Sequence, residues 1–92
     1  MQVEVTHDLA SFRFTAVVDG VTAGRLHYRE DDAGGWTMYS TVVDPDYGGR
    51  GVGSELVRVA VESARSQDRS INPTCWFVAE WLERNPAGGQ RT

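Results

Sequence analysis

The sequence predicts an α+β domain, an antiparallel meander followed by a β-α-β-α run. Three observations carry this reading. Apolar residues alternate with polar ones in successive stretches before residue 44, and turn-forming residues separate the stretches. A segment beginning at Val52 repeats apolar residues at helical spacing instead. Between the two patterns lies Asp44 to Leu56, DPDYGGRGVGSEL, with four glycines packed into the passage from strand to helix.

Taken in order, Val3 and Val5 alternate with polar neighbours and predict a short first strand ending before His7 and Asp8, which read as a turn. Phe12, Phe14, Ala16 and Val18 alternate with Ser11, Arg13, Thr15 and Val17, the period of a half-buried strand. Asp19-Gly20 is a hairpin turn. Val21 to Arg29 is the partner strand, with Gly24, Leu26 and Tyr28 on one face and Ala23, Arg25 and His27 on the other. The cluster from Glu30 to Gly35 is a second turn, and Trp36 to Val43, rich in aromatic and β-branched residues, is the third long strand. It stops near Asp44, because Pro45 has no N–H for a ladder.

From Val52 to about Ser66, Val52, Leu56, Ala60 and Ala64 recur every fourth residue, and Val57 and Val61 widen the stripe. Glu55, Arg58, Glu62 and Arg65 occupy the opposite face, which predicts an amphipathic helix with a solvated side. Ile71, within Ser70 to Pro73, predicts a brief strand parallel to the preceding one, reached by a right-handed crossover. A second helix starts near Cys75, runs through Trp81 and Leu82, and is stopped by Asn85-Pro86. Residues 1–86 thus form one domain and 87–92 read as a flexible tail.

Composition limits the function. Ninety-two residues supply one core, and 40% apolar with 24% charged residues is ordinary for a globular chain. A net charge of -4 argues against a nucleic-acid binder, which carries a basic excess. All nine basic residues are Arg, so no lysine is present to act as a phosphate-binding cation or amine nucleophile. A single Cys75 and two separated His residues make neither an internal disulfide nor a zinc signature, so no metal is expected. No stretch approaches the roughly 18 apolar residues of a membrane span, and the N-terminal stretch lacks the pattern of a secretory leader. The expected setting is the cytoplasm.

Glycine reaches positive φ and lets a ligand approach the backbone, while a helix N-terminus exposes unpaired N–H groups bearing partial positive charge. Gly48, Gly49, Gly51 and Gly53 therefore point to an anion site for a phosphate or pyrophosphate. A Walker loop requires a Lys that this chain lacks. A dinucleotide fingerprint starting at Gly51 requires glycine where Leu56 stands, and a preceding parallel strand. A connector that merely lets strand and helix pack closely remains open, although one or two glycines suffice for that.

The run Val43 to Val57, VDPDYGGRGVGSELV, resembles the acetyl-CoA signature R/Q-x-x-G-x-G/A of the GNAT acetyltransferase superfamily. Gly51 and Gly53 match its last two fixed positions, and Gly48 stands where Arg or Gln is usual. From about Ser11 to Pro86 the chain is similar to the very small GNAT-like proteins. Arg13-Phe14, Asp19-Gly20, Ala23-Gly24, Tyr28, Pro73-Thr74-Cys75-Trp76-Phe77-Val78 and Asn85-Pro86 fall in the expected order. The resemblance implies a truncated GNAT-like fold whose mixed sheet splays between the third long strand and the short one. It implies acetyl-CoA as cofactor, its pantetheine arm lying along Val42 and Val43 as an added strand. The pyrophosphate would meet the backbone of Gly48, Gly49, Arg50, Gly51, Val52, Gly53 and Ser54, with the Arg50 guanidinium as a further contact.

Acetyl transfer to an amine requires a polarised thioester carbonyl and a proton for the leaving thiolate. A backbone N–H at Val42 or Val43 is the expected polarising group. Cys75, at a helix N-terminus, is the candidate catalytic residue, with shaping of the pocket or simple packing as its alternatives. Relatives often carry His-Thr-Glu on the preceding strand, where this chain has Ser40-Thr41-Val42. His27, His7, Tyr39 and Tyr28 are the remaining titratable candidates, each with a plainer role as a sheet or turn residue. The expected function is an acetyl-CoA-dependent N-acetyltransferase acting on a small or peptide amine, as a monomer or weak homodimer with no nucleic-acid or membrane partner. The alternative is a non-catalytic acyl-CoA-binding module or regulatory subunit.

Overall fold

The computed structural model describes residues 2–85; the Pro86 stop and the 87–92 tail lie outside them. Four antiparallel strands follow one another as β1 (Val3–Asp8), β2 (Arg13–Val18), β3 (Val21–Glu30) and β4 (Trp36–Val43). A single 3-10 turn over Pro45–Tyr47 then leads through the glycines into α1 (Val52–Ser66). The chain returns as β5 (Ile71–Pro73), parallel to β4, and ends in α2 (Trp76–Arg84). The sheet order is β1-β2-β3-β4-β5, the expected meander plus crossover.

The alternation read from the sequence dictates the layers. Phe14, Ala16 and Val18 of β2, Leu26 and Tyr28 of β3, and Trp36 and Met38 of β4 all turn to one face and are buried. Against them α1 lays the stripe Val52, Leu56, Val57, Ala60, Val61 and Ala64, and α2 adds Val78, so both helices join one core. On the outer side of α1, Arg58 pairs with Glu55 and Glu62, as the solvated stripe requires. Of the two tryptophans in α2, Trp81 packs against the core and Trp76 is 73% exposed. Among the described residues, no helix covers the other face of the sheet.

Three local features depart from the sequence reading. β1 extends through His7 and Asp8, which pair with Phe14 and Arg13, instead of turning there. The cause is the His7 ring, which stacks on Phe14 at 4.0 Å and shares a 2.6 Å hydrogen bond with the Tyr28 hydroxyl. Ala23, expected on the outer face, is fully buried because the β2–β3 register slips between Gly24 and Thr22, inserting one residue. A second slip on β4 leaves Tyr39 as the extra residue between Met38 and Ser40.

Gly24 marks the tightest approach within the sheet. A Cβ there would stand 2.8 Å from the Val42 carbonyl oxygen and 3.2 Å from Leu56, so backbone would have to move. Gly24→Ala is expected to cost about 1–3 kcal/mol of stability in a urea titration, the range for overpacking. His7 supplies a pH dependence. Burial holds its imidazole below the usual 6.5, although Asp8 pulls the other way. Burial also raises the Tyr28 phenol, which shares the 2.6 Å hydrogen bond with His7 Nε2. The unfolded chain therefore takes up the His7 proton first, and stability should fall as pH drops from 6.5 through the lowered folded value. Thermal melts from pH 7.5 to pH 5 should lose that component in His7→Phe (about these pH limits, chosen to bracket an ordinary histidine).

Candidate functional site

The Tyr39 insertion builds the site. In a strand, the N–H and C=O of one residue point the same way and those of the next point oppositely. Ahead of the insertion, Trp36 donates its N–H to Ser70 O at 2.8 Å and Met38 O accepts from the Cys75 N–H at 3.1 Å, so these residues face β5. Beyond it the alternation is inverted. Asp44 donates to Ala23 O at 2.8 Å, so Asp44, Val42 and Ser40 face β3, while Thr41 and Val43 face the other side. There β5 has already ended, its pairing with β4 covering only Trp36–Met38. Thr41 and Val43 thus line an open edge within the fold. Of the two expected polarising positions, Val43 turns its backbone to that edge and Val42 turns away from it.

The glycine turn closes the lower end. Asp44 caps the 3-10 turn by accepting the Asp46 N–H at 2.9 Å, and Gly48 donates to Pro45 O at 3.2 Å. Gly49 and Gly51 then take positive φ of 76° and 83°, and nothing stands within 4 Å of a Cβ built on either. Side chains there would be strained and would project into the open space. Gly51 is also the N-cap of α1 and offers no side-chain cap; the first intrahelical bond runs from the Glu55 N–H to Gly51 O at 3.0 Å. The N–H groups ahead of Glu55 therefore remain available at the positive end of the helix. Val52 is buried in the core and anchors the turn from below.

α2 forms the opposite wall. Its N-cap is Cys75, whose Sγ lies 3.7 Å from the Thr41 hydroxyl across the split. Burial by itself pushes the thiol up. Hydrogen bonding from the Val78 N–H, the Thr41 hydroxyl and the Phe77 and Thr41 N–H groups outweighs it and leaves the thiol below its ordinary value. No bond of full capping geometry forms, so these N–H groups act on the sulfur as loosely arranged donors. One turn on, the Phe77 ring packs over Gly53, where a Cβ would come within 3.0 Å of it.

Val43, Gly48, Gly49, Gly51, Val52, Gly53 and Ser54 come together as the lining of one cleft of about 310 Å³. Tyr47 and Phe77 complete the lining and escaped the sequence reading as site residues. The signal for Phe77 was its place two residues after Cys75, on the helical turn that faces Gly53. Arg50 is exposed on the turn without lining the cleft, and Val42 lines a separate depression on the other face of the sheet. Tyr28 is buried and engaged with His7, away from this cleft. His27 and Tyr39 stack at 6.2 Å on the helix-free face. Among the described residues no cluster of side chains could hold a metal ion, and no helix is long and apolar enough to cross a membrane.

Known proteins share this architecture. Residues 13–90 match the family model described as GCN5-related N-acetyl-transferase. Protein NATD1 of Gallus gallus is 26% identical over 85 residues, covering 91% of this chain and 77% of that protein. An aminoglycoside acetyltransferase from an uncultured soil metagenomic sample, solved with sisomicin, superposes with a TM-score of 0.62 at 13% identity, covering 83% of this chain and 57% of the other. Naa50 of Arabidopsis thaliana, solved with the bisubstrate analogue CoA-Ac-MVNAL, superposes at 0.51 with 21% identity, covering 66% of this chain and 44% of its own. This chain spans about half the length of those two solved proteins. The likeness to them is one of fold; the family follows from the model match over residues 13–90, and the chain belongs to the GCN5-related N-acetyl-transferase family.

Proposed function

We propose that this chain binds acetyl-CoA in the split between β4 and α2 and transfers the acetyl group to a small or peptide amine. The observation that carries this reading is the inverted alternation after Tyr39, which turns the Thr41 and Val43 backbone to an edge that β5 leaves free. An extended arm with amide groups fits such an edge as an added strand. The glycine turn at its end fits a pyrophosphate. Open space stands over Gly49 and Gly51, N–H groups at the α1 N-terminus are unpaired, and no carboxylate lines the cleft.

Bound there, acetyl-CoA supplies an acetyl thioester activated for attack by an amine. Gly49, Arg50, Gly51, Val52, Gly53 and Ser54 would hold the pyrophosphate through their backbone, and Gly48 keeps the turn tied to Pro45. Val43 presents its N–H toward the open edge, where it polarises a carbonyl without any side chain. Cys75 sits opposite Thr41 with its thiol held below its ordinary value and is the titratable group on this wall. Ser40 and Val42 carry no base and face away, so the acceptor amine must arrive neutral or lose its proton to solvent. That same poverty of titratable groups favours the second reading, a module that binds acyl-CoA without turning it over.

A titration tests the cofactor. Acetyl-CoA should raise the melting temperature of the protein, and Gly51→Glu should abolish that rise by placing a strained, anionic side chain in the cradle. No binding by the wild type would end both readings. Release of CoA across an amine panel then separates enzyme from binder. At neutral pH, Cys75 should be alkylated by iodoacetamide several-fold faster than an unperturbed thiol, with the advantage reduced in Thr41→Val and blocked by acetyl-CoA. Undiminished turnover in Cys75→Ala would remove the thiol from the chemistry, whereas an acetyl adduct seen by intact mass only in the wild type would place it on the path.

A further inference from the structure

The helix-free face of the sheet gathers three of the chain's nine arginines. The net charge is -4, and Arg58, Arg69 and Arg84 are each paired with glutamates. Arg13, Arg25 and Arg29 make no ion pair with any described carboxylate, and all three project from this one face. The registers place them there. Arg13 stands between Asp8 and His27, Arg25 between Thr15 and Val42, and Arg29 beside Thr37. Arg29 leans over the Tyr39 ring at 4.9 Å. The same face also carries Glu4 and Asp8 on the edge strand β1 and Asp44 at the end of β4; Asp8, opposite Arg13, accepts the Ser11 N–H at 3.2 Å.

Arg25 also lies in a depression. A cavity of about 370 Å³ on this face is lined by Arg25, His27, Val42, Val43 and Asp44 among others. Its volume falls in the range of small-molecule sites. Arg25 supplies the guanidinium of the depression, and the Asp44 carboxylate beside it accepts the Asp46 N–H and makes no ion pair with it. Val43 lines both this depression and the glycine cleft, so the two hollows meet across the end of β4. From Arg25 the face runs roughly 7 Å, two strand residues, to His27, whose partner Ser40 adjoins the Tyr39 insertion.

We propose that this depression is the acceptor subsite, and that the acceptor is a small primary amine bearing a carboxylate or phosphate held by Arg25. The proposal rests on the reading that acetyl-CoA occupies the β4–α2 split. A planar guanidinium recognises either anion through paired N–H donors, and an amine tethered to that anion is delivered toward Val43, where this depression meets the glycine cleft. The transfer is balanced without any other reagent. The amine nitrogen bonds to the acetyl carbon, the carbon–sulfur bond breaks, and the proton lost by the amine ends on the CoA sulfur.

Backbone amide NMR of the isotopically labelled chain, saturated with CoA, tests this with matched probes. β-alanine is compared with β-alaninamide for the carboxylate, and phosphoethanolamine with ethanolamine for the phosphate. At least one anionic probe should shift the amides of residues 22–27 and 42–44 with an affinity tenfold or more above its neutral partner (about 1.4 kcal/mol or more), and the stronger arm identifies the anion. Arg25→Gln should erase the preference, whereas Arg58→Gln on α1 should leave it intact. Equal response to neutral probes, no response on this face, or a preference that survives Arg25→Gln would each overturn the proposal. So would a shift of the Arg25 region by CoA alone to which the amines add nothing, since the patch would then serve the cofactor. Shifts of the amides of residues 48–54 on adding CoA report cofactor binding in the same sample, so its failure is seen separately.

Discussion

One inserted residue governs the rest. Were Tyr39 paired in register instead of bulged between Met38 and Ser40, β4 would keep its alternation, and Ser40 and Val42 would face the β5 side. With the insertion, Thr41 and Val43 face it instead, while the side chains that follow Trp36 and Met38 toward the helices are also those of Thr41 and Val43. Core packing holds the change in place. Tyr28 pairs with Met38 before the insertion and Leu26 pairs with Thr41 after it, both contributing buried side chains. Shifting the register back by one residue would turn a buried set outward, which the core of so small a domain resists.

The other parts of the site are consequences of where β4 stops pairing. β5 is three residues long and ends at Pro73, and the following Cys75 N–H still reaches Met38 O, so α2 begins beside the split. That places the thiol across from Thr41 and the Phe77 ring over Gly53. The glycine turn joins the far end of β4 to α1, so the cradle and the open edge are consecutive stretches of one chain. Their relative placement is covalent, with no distant loop required to bring them together.

This explains what was legible in the sequence. Strand alternation, the α1 stripe and the glycine turn are local patterns, and the strands and α1 lie where the patterns put them. The glycines Gly48, Gly49, Gly51 and Gly53 were legible as one cradle because they are neighbours in the chain. The insertions at Ala23 and Tyr39 were not, since a residue that breaks register shows only in its pairing with another strand. Whether Val42 or Val43 faces the split depended on that same register. His7 read as a turn because its reason to stay in β1, the contacts with Phe14 and Tyr28, is formed with other strands. Phe77 entered the cleft for the same kind of reason, by packing of α2 over Gly53, whereas Tyr47 adjoins Gly48 in the chain and lies in the turn itself.

The helix-free sheet face has an evolutionary consequence. The groups that suit acetyl-CoA are backbone N–H and C=O groups, set by glycines and by register, and altering them disturbs the fold. The groups in and beside the second depression, Arg25, His27, Ser40 and Val42, are side chains on a surface that no described helix or strand covers. They can be exchanged without a cavity or a clash in the core, since surface changes shift stability little. On the proposed reading, the acceptor can change while the cofactor is kept: the cofactor contacts lie in the main chain, and the acceptor contacts are an exposed patch of a few side chains.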